Sequence, residues 1–293
     1  MNMSHWSQER LHADVHKAVG GSLNLVRELS RISQELEPSV PSEWLLKRAL
    51  FYSYELNILV DEGMSERDRL ARLNHFFFEE KKFRGLTDPV HLGDPSDPFR
   101  LSTVFSARQG SPIVVAVLYG FLAERIGVPL EFVDFKPACF LKWVDSGHCR
   151  YIDVGRGGAT LASDEVIELL HSQYQLTTVG LDQLLEPVSF EALLTTYLSQ
   201  LKQAFAPRKE YEKTLFLQNA LIAYQPSNLQ LIAERAVLHR KLGHFKSALA
   251  DLKRFFAFND RDRAPAELVK LHDDLVTLLD RHRAGLDPGP GTA

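Results

Sequence analysis

Residues 107–144 read ARQGSPIVVAVLYGFLAERIGVPLEFVDFKPACFLKWV. Ser111 is a good helix N-cap. Pro112 suits the first helical position, because proline lacks the N–H that would be unpaired there. The run that follows is apolar nearly all round, which places this helix inside a core. Gly127 ends it, with Pro129 just beyond. LEFVDF, CFLKWV and CRYIDV then read as short strands, the last two joined through DSGH with hairpin character. RGGAT (156–160) is expected to break the sheet. A buried helix feeding an antiparallel sheet can form a catalytic cleft, with a nucleophile at the helix start and a base on a strand.

Upstream, helical periodicity dominates. Leu23, Leu25, Val26 and Leu29 mark a first helix that ends near Pro38–Pro41. Ser42 is placed to cap a second, whose apolar side runs through Trp44, Leu45, Ala49, Tyr52 and Leu56. Ser65 with Asp68 fits a capping box ahead of Leu70, Leu73, Phe76 and Phe77. GLTDPVHLGDPSDPFR (85–100) is a Pro/Asp-rich loop. Downstream of about residue 183 the pattern is purely helical and repeats at 34 residues. Leu198 falls on Ile232, Ala204 on Leu238, Tyr211 on Phe245, Leu215 on Leu249 and Leu221 on Phe255. That period is the helix–turn–helix period of tetratricopeptide repeats. The expected domains are therefore 1–182, a mixed α/β core with N-terminal helices; 183–282, a helical repeat domain; and 283–293, a disordered tail.

A chain of 293 residues with 45% apolar residues, 25% charged residues and a net charge of −4 has no global pull toward nucleic acid or a membrane. The N-terminus lacks the apolar segment of a signal peptide, and the longest apolar run falls short of the ~20 residues of a membrane span. Two cysteines form no disulfide framework and suit a reducing cytoplasm. These features lead to an expectation of a cytoplasmic protein.

The stretches LNHFFFEEKKFRG, ARQGSPIVVAVLYGFLAERIGVPL and YIDVGRGGATL, with the repeat behind them, resemble the bacterial SirB-type family. In that family a transglutaminase-like core of the papain-type superfamily precedes tetratricopeptide-like helices. The resemblance implies an α+β core with a small antiparallel sheet, followed by an all-α domain. It also implies a cysteine at the start of the core helix, a histidine on the next strand and an aspartate on the strand after. The helix N-terminus would lower the thiol pKa, the imidazole take the proton and the carboxylate orient the imidazole. Carried onto this chain, the nucleophile position is Pro112, the base position, within PACF, is Cys139, and only Asp153 keeps its type. A base at 139 would be expected beside Asp153.

The other chemistry is sparse. Ser111 reads as a helix cap, and Cys139 as a buried inert thiol. Cys139, His148, Cys149 and Asp153 match no zinc spacing, and no cofactor is expected. RDRLAR, Lys81–Lys82 and FNDRDRAP read as solvated surface. The function expected is a non-catalytic interaction or regulatory scaffold with a protein or peptide partner, and neither nucleic acid nor a membrane. Helix positions Gln200, Glu234 and Arg235 are the candidate partner contacts. The alternative is a cysteine-dependent hydrolase or acyl transferase rearranged around Cys139, which would show itself by fast, selective alkylation.

Overall fold

The computed structural model describes residues 21–86, 94, 96–135, 138–174 and 184–283; residues 87–93 and 95 of the expected 85–100 loop, and all but the first residue of the tail expected at 283–293, lie outside them. The described residues fall into two units, 21–197 and 198–283. The first begins with α1 (Ser22–Leu36) and α2 (Ser42–Asn57), which pack as a pair. Pro41, not Ser42, precedes the first turn of α2, and the Ser42 N–H is held by Gln34 Oε1 at 2.6 Å. Leu45, Ala49, Tyr52 and Leu56 are buried as their spacing requires, whereas Trp44 is half exposed. Position 44 lies on the outer arc of the helix, so this part of the expected apolar side faces water. α3 (Glu66–Asn74) starts on the capping box, Ser65 Oγ accepting from the Asp68 N–H, and runs on as a π-helical turn, His75–Glu80. Arg69, expected on a solvated face, instead donates to the carbonyls of Glu62, Met64 and Ile126.

The segment opened by Pro112 is α5 (Pro112–Arg125), preceded by β1 (Arg84–Gly85), α4 (Leu101–Ala107) and β2 (Gln109–Gly110). Every residue from Pro112 to Ala123 is buried. At roughly 1.5–3 kcal/mol for each large apolar side chain removed from water, this helix is the main organiser of the unit. Its all-round apolar sequence is matched by neighbours on every side: α1, α2, α4, β1 and the main sheet. β1 and β2 pair in parallel, a short ladder of two residues each that no sequence periodicity marks.

The main sheet is antiparallel, β3 (Glu131–Phe135), β4 (Ala138–Asp145), β5 (His148–Asp153) and β6 (Ala159–Leu161), in that spatial order. Ser146 and Gly147 both take positive φ at the β4–β5 turn, the geometry of a two-residue hairpin. RGGAT does not end the sheet: after a turn through Gly157 and Gly158, Ala159 pairs with Asp153 and the strand continues to Leu161. One face of the sheet, with Val133, Phe140 and Tyr151, packs on α6 (Ser163–Tyr174) through Val166, Leu169 and Leu170. The other face, with Phe132 and Leu141, meets α5 at Gly120, where an added Cβ would lie 2.7 Å from the Phe132 ring. Glycine is what lets helix and sheet approach so closely.

α7 (Phe190–Phe205) passes from the first unit into the second at Tyr197–Leu198. The second unit continues as α8 (Tyr211–Tyr224), α9 (Leu229–Lys241), α10 (Phe245–Phe258) and α11 (Ala266–Arg283). α8 and α10 begin at Tyr211 and Phe245, 34 residues apart, as the repeat requires. Ala236, Ala248, Leu252 and Leu275 form one buried apolar cluster of this unit, joining α9, α10 and α11. No strand is found among the described residues after Leu161, and none of the described helices is long and apolar enough to cross a membrane.

Candidate functional site

The start of α5 is built by the segment before it. Arg100 draws Glu37, Asp94 and Asp97 together, and Pro98 C=O accepts from the Ser111 N–H at 2.7 Å. Ser111 then occupies the N-cap position, its carbonyl accepting from Val114 and Val115. Its side chain does not cap. The Oγ makes no hydrogen bond, and the residue is buried. This corrects the expectation that the hydroxyl is committed to the helix: Pro112 has no N–H, and the later amides are not bonded by it. A serine nucleophile needs a base within about 2.6–3.2 Å, and Ser111 Oγ has no hydrogen-bond partner among the described residues.

Cys139 lies in β4, opposite Asp134 of β3. It is 2% exposed, and burial pushes its thiol well above the usual range, with the negative charges of Asp134 and Asp153 adding to the effect. The thiolate needed for nucleophilic attack is therefore disfavoured. The residue opposite Asp153 is Phe140, not Cys139. Because successive strand residues face opposite sides, Cys139 belongs with Leu141 on the α5 face, and Asp153 with Phe140 on the other. The expected adjacency of a base at 139 with Asp153 is thus not met across the β4–β5 ladder. His148 and Cys149 sit at the far end of the hairpin, paired with Asp145 and Val144. Both cysteines are free. Among the described residues no group of three or more His, Cys, Asp or Glu is placed to hold a metal.

Asp153 Oδ1 accepts from the N–H groups of Gly155 (2.8 Å) and Arg156 (3.2 Å), fixing the turn between β5 and β6. Burial raises the carboxyl pKa; these N–H donors and the Arg156 charge act against it. Asp153→Asn keeps the acceptor and removes the buried charge, so it is expected to be within about 1 kcal/mol of the parent at neutral pH. Asp153→Ala leaves two N–H groups unpaired and should cost about 1–3 kcal/mol. The folded pKa is raised, so this carboxyl contributes stability that is present in acid and lost as pH rises from the unfolded value of 3.8 through the folded one. Urea denaturation of both variants on either side of that window tests the assignment.

Next to this turn lies a polar bracket that the sequence gives no means of finding. Tyr119 Oη donates to Asn74 Oδ1 at 2.6 Å, Asn74 Nδ2 donates to Gly158 C=O at 3.2 Å, and Gly158 N–H bonds Asp153 C=O at 2.9 Å. Gly158, at φ +80°, leaves no room for a side chain, since a Cβ would lie about 2.4 Å from Phe78. These bonds lock α5, α3 and the β5–β6 turn together.

In the repeat unit, Glu234 Oε2 binds Lys202 Nζ at 2.8 Å, which also reaches Gln218 at 2.8 Å. Arg235 is buried and grips Asp251 with two bonds, 2.8 and 2.7 Å, and Asn219 with a third at 3.0 Å. Gln200 is half buried on α7. Of the three candidate contacts, Glu234 and Gln200 keep exposed surface, whereas Arg235 serves the packing of α8, α9 and α10.

Residues 24–199 match the family model described as the transglutaminase-like superfamily, and residues 201–271 match a tetratricopeptide repeat model. A UPF0162 protein of Xylella fastidiosa is 28% identical over 71% of this chain and 75% of its own length. A UPF0162 protein of Vibrio cholerae is 24% identical over 88% and 96%, and Protein SirB1 of Salmonella typhimurium 22% identical over 67% and 72%. No solved structure matches. The match across residues 24–199, on a buried helix followed by an antiparallel sheet and with repeat helices behind, establishes that this chain belongs to the transglutaminase-like superfamily, in its SirB-type branch.

Proposed function

We propose that this protein is a non-catalytic interaction or regulatory scaffold, working in the cytoplasm, whose transglutaminase-like core has lost its chemistry and whose repeat helices take a protein or peptide partner. The observation that carries the reading is the state of the inherited site: a proline at the nucleophile position, a buried thiol at the base position, and a serine hydroxyl with nothing to deprotonate it. In this reading residues 1–182 are the core domain and 183–282 the recognition domain. Tetratricopeptide helices bury only part of their surface, and the face left over suits a peptide or helix. Gln200 and Glu234 are the contacts proposed there; Arg235 supports them from inside.

The test pairs two measurements on the intact chain. Proteins retained from a bacterial lysate are identified, and the affinity of the strongest is measured by calorimetry for the parent and for Gln200→Ala/Glu234→Ala. A loss of tenfold or more with an unchanged melting temperature supports the reading. Retained affinity, with loss on surface changes in residues 21–174, moves recognition to the core. Hydrolysis of general amide or ester substrates that disappears in Cys139→Ala would sink the non-catalytic assignment.

A further inference from the structure

The outer face of α2 exposes more apolar surface than a helix in water ordinarily keeps. Trp44 is 51% exposed, Phe51 52%, Tyr54 65% and Ile58, just past the helix end, 66%, with Leu50 at the edge. Four of the eight large exposed hydrophobic side chains of the described residues therefore fall on this one helix and a fifth, Ile58, directly after it, which singles it out as a contact surface. At 3.6 residues per turn, Trp44, Lys47, Phe51, Tyr54 and Ile58 lie within an arc of about 80°. Their alternating spacing of three and four residues is the spacing of a helix–helix seam. Aromatic side chains of about 150–250 Å² each, half or more exposed, give an apolar patch on the order of 500 Å². That falls within the ~300–600 Å² of a typical protein's largest exposed patch, which is often functional, and is over half of the ~800 Å² per partner of a standard interface.

We propose that the occupant of this face is a second copy of the chain, its α2 laid antiparallel across the first. The seam is balanced about Phe51: Trp44 and Ile58 stand seven residues to either side, Lys47 four before and Tyr54 three after. A two-fold axis at Phe51 therefore sets Phe51 on Phe51, Trp44 on Ile58, and Lys47 on Tyr54 of the second copy. A cation over an aromatic ring is favourable, and the same chain already places the Lys81 ammonium 5.7 Å from the Tyr52 ring. A parallel pairing would instead oppose Lys47 to Lys47. The surface is self-complementary in one orientation, which is what an isologous interface requires.

Sedimentation equilibrium of the full chain over a wide concentration range tests this. The expected result is a monomer–dimer equilibrium weakened about thirtyfold or more by Phe51→Glu, as for a hot-spot aromatic, and weakened also by Lys47→Glu. Phe51 and Lys47 are exposed, so circular dichroism and melting of both variants should match the parent. In a Cys149→Ser background, Phe51→Cys should form a disulfide-linked dimer on mild oxidation. Trp44→Cys should link to Ile58→Cys in a mixture and not to itself. A monomer at every concentration overturns the proposal, as does a dimer indifferent to Phe51→Glu, or cross-links at 44–44 and 58–58. A chain that dimerises through this face only after residues 1–20 are removed also overturns it, the face then being covered from within one copy. None of these readouts depends on partner binding by the repeat helices.

Discussion

Arg235→Ala is expected to lower stability by about 3–5 kcal/mol, the cost of leaving a buried charge without its partner. Both side chains of the Arg235–Asp251 pair are only 9% exposed, and the contact is a two-pronged guanidinium–carboxylate grip closed by Asn219. Removing the cation strands the Asp251 carboxylate between α9 and α10. Replacing both members, Arg235→Met with Asp251→Leu, is expected to recover most of the loss, because the desolvation of both charges disappears together. His239, 3.9 Å from Asp251, adds a pH signature. Burial holds its pKa down, with Arg235 and His244 helping and Asp251 opposing. In the parent it therefore supplies stability that is present above about pH 6.5 and lost as pH falls through its lowered folded value. Without Arg235 that suppression weakens, so the gap between variant and parent should narrow as pH falls from about 7 to about 5.5. Urea denaturation at both pH values measures it. A variant as stable as the parent that nonetheless loses a bound partner would make Arg235 a recognition residue after all.

Arg235 also shows where the sequence stops being legible. The 34-residue repeat identifies α8 to α10 because aromatic and small residues recur at fixed spacing and must pack. It marks Arg235 only as a polar position on a helix. Whether a polar residue meets solvent or a buried counter-charge depends on Asp251, 16 residues away and on another helix, which no local period reveals. Trp44 is a different case: at 100° per residue it lies about 80–140° round the helix from Leu45, Ala49, Tyr52 and Leu56, so helical spacing alone already sets it on the outer arc. α5, by contrast, is readable in full, since a helix apolar all round has only one environment open to it. The inherited site lies between these cases. Pro112, Cys139 and Asp153 are locatable by their order along the chain. That Cys139 and Asp153 sit on opposite faces of the sheet depends on a register in which Phe140, one residue on, takes the place opposite Asp153.

That register governs the largest effect expected of any substitution at the site. In the parent, Cys139 should be alkylated at neutral pH at least about 100-fold more slowly than the partly exposed Cys149. Burial keeps it protonated and inaccessible, and a reagent must await local opening of the sheet. Cys139→His places an imidazole on the α5 face, where Asp153 does not stand opposite it, while Pro112 still offers no reactive atom. No amide or ester hydrolysis is expected. Pro112→Cys alone puts a thiol at the N-terminus of a 14-residue helix, where the helix dipole favours thiolate. The double variant, Pro112→Cys with Cys139→His, adds a base on the same face. Faster alkylation at 112 than at an exposed control thiol is the expected gain, and turnover is not. The Asp153 carboxylate is engaged through Oδ1 by the Gly155 and Arg156 N–H groups, and its position in the ladder is opposite Phe140, so it is not set to orient an imidazole at 139. Loss of one member of such a triad typically removes about 10⁴-fold in rate. Mass-spectrometric alkylation rates and hydrolysis assays on the parent, both single variants and the double variant decide the matter. Turnover in the double variant that vanishes on Asp153→Asn would show the carboxylate to be within reach, and the site to be repairable by two substitutions.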